Sequence, residues 1–283
     1  MDDKTPAQLP NTDLRTVAGF GEEWSRFQQD QLGKAEAQEA FDGYFRLFPW
    51  DRIGAQSVGI DIGCGSGRWA ERAAPRVGTL HALDASEEAL AVARRQLAAH
   101  QNIRFHHASV SRIPLPDGSL DFAYSLGVLH HVPDTNAAFR AVAAKLKSGA
   151  PFLTYLYYSF ENRPASFRAI WRVSDSLRRF ISAMPAKHRH WATDPIAVLV
   201  YFPLARAARL LEMVGLLPQS WPLADYRALS FYAMRTDALD RFGTPLEKRF
   251  SRAEIAELYC QAGFVDIEVS TDFPYWCAIG TKA

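Results

Sequence analysis

Three glycines at alternate positions, Gly63, Gly65 and Gly67, follow an acid, Asp61, that sits near the end of the apolar run Ser57–Ile62. The chain then continues as Arg68-Trp69-Ala70, with helical character. Strand, tight turn and helix start thus follow one another without a linker. Glycine accepts positive φ and leaves main-chain atoms open to a ligand that a Cβ would shield. A dinucleotide site needs G-x-G-x-x-G, with its third glycine where the helix packs on the strand. Counted from Gly63, that third position is Arg68, so the dinucleotide pattern fails at the packing glycine. A Rossmann oxidoreductase is disfavoured on that ground.

The same punctuation recurs downstream. Thr79–Asp84 reads as a second apolar strand ending in an acid, followed by Ala85 and then Ser86 as the N-cap of a helix that carries Glu87 and Glu88 in its first turn. A carboxylate at Asp84 can accept both hydroxyls of a ribose. Ile103–Val110 reads as a third strand running into Ser109 and Val110, and a turn-rich loop with Pro114, Pro116 and Gly118 leads to a fourth strand ending near Ser125. His130 and His131 follow it; a helix over 137–147 and a fifth strand over Pro151–Tyr158 come next. Short apolar strands alternating with helical patterns predict a doubly wound α/β sheet, with ligand at the carboxyl ends of the strands.

The D-x-G-x-G-x-G block resembles motif I of the class I S-adenosylmethionine-dependent methyltransferases, and the later blocks occur in that family's order over residues 57–158. The resemblance implies a seven-stranded mixed sheet, with strand seven antiparallel between strands five and six. It implies S-adenosylmethionine as cofactor, with Asp61, Gly63, Cys64, Gly65 and Gly67 around its methionine part and Asp84 and Ala85 at its ribose. Ser109 and Val110 fall at the adenine, and Ser125 ends the fourth strand. Ser109 stands where the family's G-D-A acid is usual. His130, in the run Val128-Leu129-His130-His131-Val132, either accepts a proton near the reactive methyl or packs beneath the cofactor. No metal is implied. A non-catalytic S-adenosylmethionine-binding protein fits the same motifs.

The organisation expected is an N-terminal helical lid over 1–50, a cofactor-binding core over 51–158, a helical cap over 159–248 and the end of the core over 249–283. Trp24 is a candidate for closing the pocket. Ser251 and Glu254 form a capping box for the last helix, and Gly263 stops it. The cap is the individual feature of the chain. From Glu161 to Arg209 it carries Arg163, Arg168, Arg172, Arg178, Arg179, Lys187, Arg189, Arg206 and Arg209 against Glu161, Asp175 and Asp194. With interleaved aromatics, this suits a small-molecule or lipid-linked acceptor bearing an anionic or glycan group, or contact with an anionic membrane. Ile196–Leu204 is too short to span a bilayer.

The whole chain has 32 cations against 31 acids, a balance that does not point to nucleic acid. Cys64, Cys260 and Cys277 show no metal-ligand spacing. Met1–Leu14 shows no apolar signal segment, so the expected setting is a reducing, cytoplasmic one.

Overall fold

The computed structural model describes residues 9–27, 33–218, 221–272 and 274–283. Residues 1–8 and 28–32 of the expected lid lie outside them. Two helices, α1 (Leu14–Arg26) and α2 (Lys34–Tyr44), precede the sheet. The core then runs β1 (Val58–Ile62), α3 (Ala70–Ala73), β2 (Thr79–Asp84), α4 (Glu87–Gln96), β3 (Ile103–His107), β4 (Phe122–Leu126), α5 (Thr135–Lys145) and β5 (Pro151–Tyr155). The helix predicted after Gly67 is a single turn, because Pro75 has no N–H to extend it and the chain tightens to a 3-10 turn over Ala74–Arg76.

Helices α6 (Ala165–Ser182), α7 (His190–Ile196), α8 (Phe202–Met213) and α9 (Phe231–Gly243) fill the segment after β5. Between α7 and α8 lies a π turn, Ala197–Tyr201, placed just before Pro203, which cannot donate back along the helix. The chain returns through α10 (Arg252–Gln261), β6 (Phe264–Val269) and β7 (Cys277–Lys282). The capping box of Ser251 and Glu254 is formed.

The seven strands lie in the order β3-β2-β1-β4-β5-β7-β6. β7 runs antiparallel to both of its neighbours, and the other pairs are parallel. The predicted mixed sheet is therefore the one observed. β5 is shorter than the predicted Pro151–Tyr158. Its pairing with β7 ends at Tyr155–Cys277, and Tyr157 and Tyr158 turn instead toward the strand-like residue Phe250.

One apolar layer, with Phe139, Phe152, Ile255 and Tyr259, covers one face of the sheet; a second, with Phe41, Phe45, Trp69, Leu90 and Leu97, covers the other. The helical segment has its own small core of Ile181, Ala197, Tyr201, Ala205, Met234, Ala238 and Phe242. It is tied to the rest by the Tyr157 hydroxyl, which donates to Asp240, and by the Lys248 amide, which donates to the His130 carbonyl at 3.0 Å. Glu36 of α2 also accepts from Ser230 at 3.0 and 3.2 Å.

Arg163, Arg178, Arg179, Arg189 and Arg206 are engaged within this segment, although the sequence counted them toward an anionic acceptor or membrane. Arg178 is buried, donates to Asp175 at 2.7 Å and to the Thr244 carbonyl at 2.9 Å. Arg163 pairs with Asp225, Arg189 donates to the Met184 carbonyl, and Arg206 donates to the carbonyls of Arg227 and Leu229. Folding uses these cations, since each satisfies a carboxylate or carbonyl that burial would otherwise strand. Arg178→Ala should therefore lower stability by about 3 kcal/mol, the scale for breaking a buried pair. Arg179→Ala, at a side chain that is 75% exposed, should change it by less than about 0.5 kcal/mol. Paired thermal melts check this; equal losses would contradict it.

Candidate functional site

The candidate cofactor residues lie at the carboxyl ends of β1, β2, β3 and β4. The amides of Gly63 and Cys64 both donate to the Leu83 carbonyl, at 2.7 and 3.0 Å, which folds the turn back against the end of β2. Gly63, Gly65 and Gly67 have φ of 73°, 55° and 88°. At Gly65 the requirement is also steric, because a Cβ there would lie 2.9 Å from the Trp24 indole of α1. Trp24 therefore packs directly over the glycine turn. Arg68, where a dinucleotide turn would need glycine, lays its guanidinium 4.3 Å from the Trp69 ring and 5.8 Å from Trp24.

Asp84 braces the turn. One oxygen accepts from the Gly65 amide at 2.9 Å and the other from Ser86 at 2.8 Å. Burial raises its pKa, and these backbone donors counter that. Ala85 follows it, its carbonyl 3.1 Å from the His107 ring. Asp61 has a different environment. It is 1% exposed, and neither carboxylate oxygen has a hydrogen-bond partner among the described residues. Desolvation, with the charge of Asp84 as a smaller contribution, pushes its pKa up to about 8. The nearby Tyr124 hydroxyl and Arg68 oppose this, though Tyr124 does not reach hydrogen-bonding geometry.

The Oγ atoms of Ser66 and Ser109 are likewise buried without partners. Cys64 and Val110 are buried, and Ser125 donates to the Ile62 carbonyl at 2.9 Å. Asp61, Ser66 and Ser109 thus hold polar atoms that burial has stripped of water and that no described residue satisfies. Such atoms carry a free-energy cost unless a ligand supplies the missing partner.

His130 lies in the 3-10 turn after β4, fully buried, and neither ring nitrogen has a partner among the described residues. Its ring stacks on Tyr157, with centroids 3.9 Å apart. Burial lowers its pKa well below the usual histidine value, and His131 and Arg249 lower it further. His131 donates from Nδ1 to the Leu246 carbonyl, which fixes its tautomer.

Beside this turn lies a second group of residues that sequence reasoning did not assemble. Tyr44 of α2 stands 5.0 Å from Tyr155, and Tyr155 stands 6.0 Å from Tyr157, measured between rings. The Tyr157 hydroxyl ends on Asp240. Asp237, one helical turn earlier, accepts from Tyr201 at 3.0 Å and lies 3.8 Å from Arg241. Glu23 of α1 is buried; desolvation and the neighbouring Asp240 charge hold its pKa well above the carboxylate range. Desolvation also raises Asp240 to about 7, against the hydrogen bond from Tyr157. The group is acidic and tyrosine-rich, with Arg68 and Arg241 as its cations. No local pattern announces it, because its members come from residues 23 to 241.

Residues 60–154 match the family profile described as a methyltransferase domain. The chain is 33% identical across 105 residues to an uncharacterized methyltransferase of Bacillus subtilis, covering 36% of this chain and 42% of that one. It is 33% identical across 106 residues to a ubiquinone biosynthesis O-methyltransferase of Aromatoleum aromaticum, covering 37% and 44%. The chain therefore spans less than half the length of these curated relatives. Among solved structures, the S-adenosylmethionine complex of Haemonchus contortus phosphoethanolamine N-methyltransferase 2 superposes with a TM-score of 0.51 at 17% identity, over 92% of this chain and 44% of that one. An S-adenosylmethionine-dependent methyltransferase of Thermotoga maritima superposes at 0.50 and 15% identity, over 93% and 100%. Residues 60–154 therefore match a methyltransferase domain, carried on the fold that S-adenosylmethionine-dependent methyltransferases share.

Proposed function

We propose that the chain transfers the methyl group of S-adenosylmethionine to a small or lipid-linked acceptor. The observation that carries the reading is the buried, unpartnered carboxylate of Asp61 beside the glycine turn. A site that keeps such a group through folding is suited to a ligand that brings a cation. The cofactor's ammonium supplies that cation, and its sulfonium activates the methyl group toward a nucleophile. Asp61 would hold the amino group, Asp84 the ribose hydroxyls and the unpartnered Ser109 Oγ the adenine edge. Gly63, Cys64, Gly65 and Gly67 leave the main chain open to the methionine part.

The acidic, tyrosine-lined group defines the acceptor side. Its carboxyl groups favour a neutral or protonated nucleophile, a hydroxyl or an amine, over the anionic head expected from the sequence. Asp240, with a pKa about 7, is matched to removing a proton at neutral pH. The Tyr157 hydroxyl orients that carboxyl, and His130 supports the Tyr157 ring. With its pKa held so low, His130 is itself a weak base.

Incubating the protein with methyl-labelled S-adenosylmethionine and fractionated cell extract, then reading label by mass spectrometry, tests the reading directly. A labelled small molecule or lipid is the expected outcome; cofactor binding with no labelled product from any fraction would leave a binding protein instead. Asp84→Ala should weaken S-adenosylhomocysteine binding by about 1.5–3 kcal/mol, the scale of hydrogen bonds to a charged group. Calorimetry with unchanged affinity would remove Asp84 from the ribose.

A further inference from the structure

Thirteen of the fifteen large apolar side chains that stand exposed among the described residues lie between Ile170 and Leu216. Two stripes account for most of them. On α6, Ile170, Val173, Leu177 and Phe180 recur at helical spacing and are 64%, 74%, 46% and 72% exposed. Across the π turn and α8, Leu199, Phe202, Leu210 and Met213 do the same at 73%, 41%, 65% and 76%. Trp191 is 65% exposed between them in sequence.

The orientation of α6 is the telling detail. A helix of a water-soluble surface turns its apolar stripe inward and its charges outward. α6 buries Asp175, Arg178 and Ser182 with Ile181, and leaves its apolar stripe in solvent. Fully wetted, that stripe forfeits the stabilisation that burying it would give, so a partner that covers it gains the whole amount.

Charge identifies the partner. Within residues 165–216 five exposed side chains are cationic: Arg168, Arg172, Arg179, Lys187 and Arg209. The one exposed acid there, Glu212, is paired with Arg227 at 2.8 Å. A second copy of the same face would bring like charges together, which opposes self-association. An anionic surface with an apolar interior answers both features, cations to headgroup phosphates and side chains to the acyl boundary. No helix among the described residues is long and apolar enough to cross a membrane, so the mode is lying on the surface. We propose that α6 and the segment Val198–Leu216 form a docking face for an anionic lipid bilayer. It is independent of the methyl-transfer reading and of the acceptor.

The test is sedimentation of the full chain with phosphatidylcholine vesicles, with and without phosphatidylglycerol. Co-sedimentation is expected with the anionic vesicles, weaker at high salt because the cations are screened. The double variants Val173→Asp/Phe180→Asp and Leu199→Asp/Met213→Asp should each lower the partition coefficient about tenfold or more. Because all four side chains are exposed, melting temperature and S-adenosylhomocysteine affinity should be unchanged. Arg172→Glu/Arg209→Glu should lower binding to anionic vesicles and remove most of its salt dependence. Absence of binding to anionic vesicles, or binding that none of these variants alters, would overturn the proposal. So would a concentration-dependent dimer in lipid-free buffer that the same apolar substitutions dissolve, since the face would then belong to a second copy.

Discussion

Asp61→Asn is expected to stabilise the free protein near neutral pH while weakening S-adenosylhomocysteine binding about tenfold to a hundredfold. The two effects share one cause. Asp61 titrates near 4 in an unfolded chain and about 8 in the fold. An acid with a raised folded pKa keeps its proton only when folded, so its penalty on folding is absent below about pH 4. The penalty grows as pH rises and levels off above about pH 8. At pH 7 the difference corresponds to about 4 kcal/mol, of which an unsatisfied asparagine amide returns about 1–3 kcal/mol. The variant should therefore melt at a higher temperature than the wild type at pH 7, and the gap should close toward pH 4. Ligand binding to the wild type should release a proton at pH 7, because an ammonium holds the carboxylate ionised. Calorimetry in buffers of different ionisation enthalpy measures that release. No proton release, together with unchanged affinity in the variant, would take Asp61 out of the cofactor site.

Turnover should depend on Asp240 in a way that separates a base from a packing residue. Methyl transfer should rise with pH through about 7 as Asp240 loses its proton. Asp240→Asn should lose about 10²–10⁴ in kcat and the rising limb with it, with cofactor affinity unaltered. Tyr157→Phe removes the hydrogen bond that favours the ionised carboxyl, so its profile should move to higher pH while keeping its shape. Should Asp240→Asn retain the wild-type profile, the proton leaves by another route and the acidic group serves only to shape the pocket.

What the sequence carried and what it hid divide along the range of the forces involved. Asp61, the glycines, Asp84 and the caps at Ser86 and Ser251 were legible because turns and helix starts are fixed by residues a few positions apart. The strand order followed from a family resemblance in which those local blocks keep their sequence. The helix start after Gly67 was legible, while its single turn was not read from the sequence and is set by Pro75. Arg178 was misread for a different reason. Composition records an excess of cations, but whether Arg178 meets solvent, an acceptor or Asp175 depends on how α6 is rotated against α9 and on where Thr244 arrives.

By itself, then, the sequence determined the sheet, the cofactor turn and the chemistry that turn can serve. Only the tertiary structure set Glu23, Tyr157 and Asp240 in one environment, left Asp61 without a partner and turned the apolar side of α6 to the outside. Those features arise from desolvation and from contacts between residues far apart in the chain, and neither is written in any local spacing.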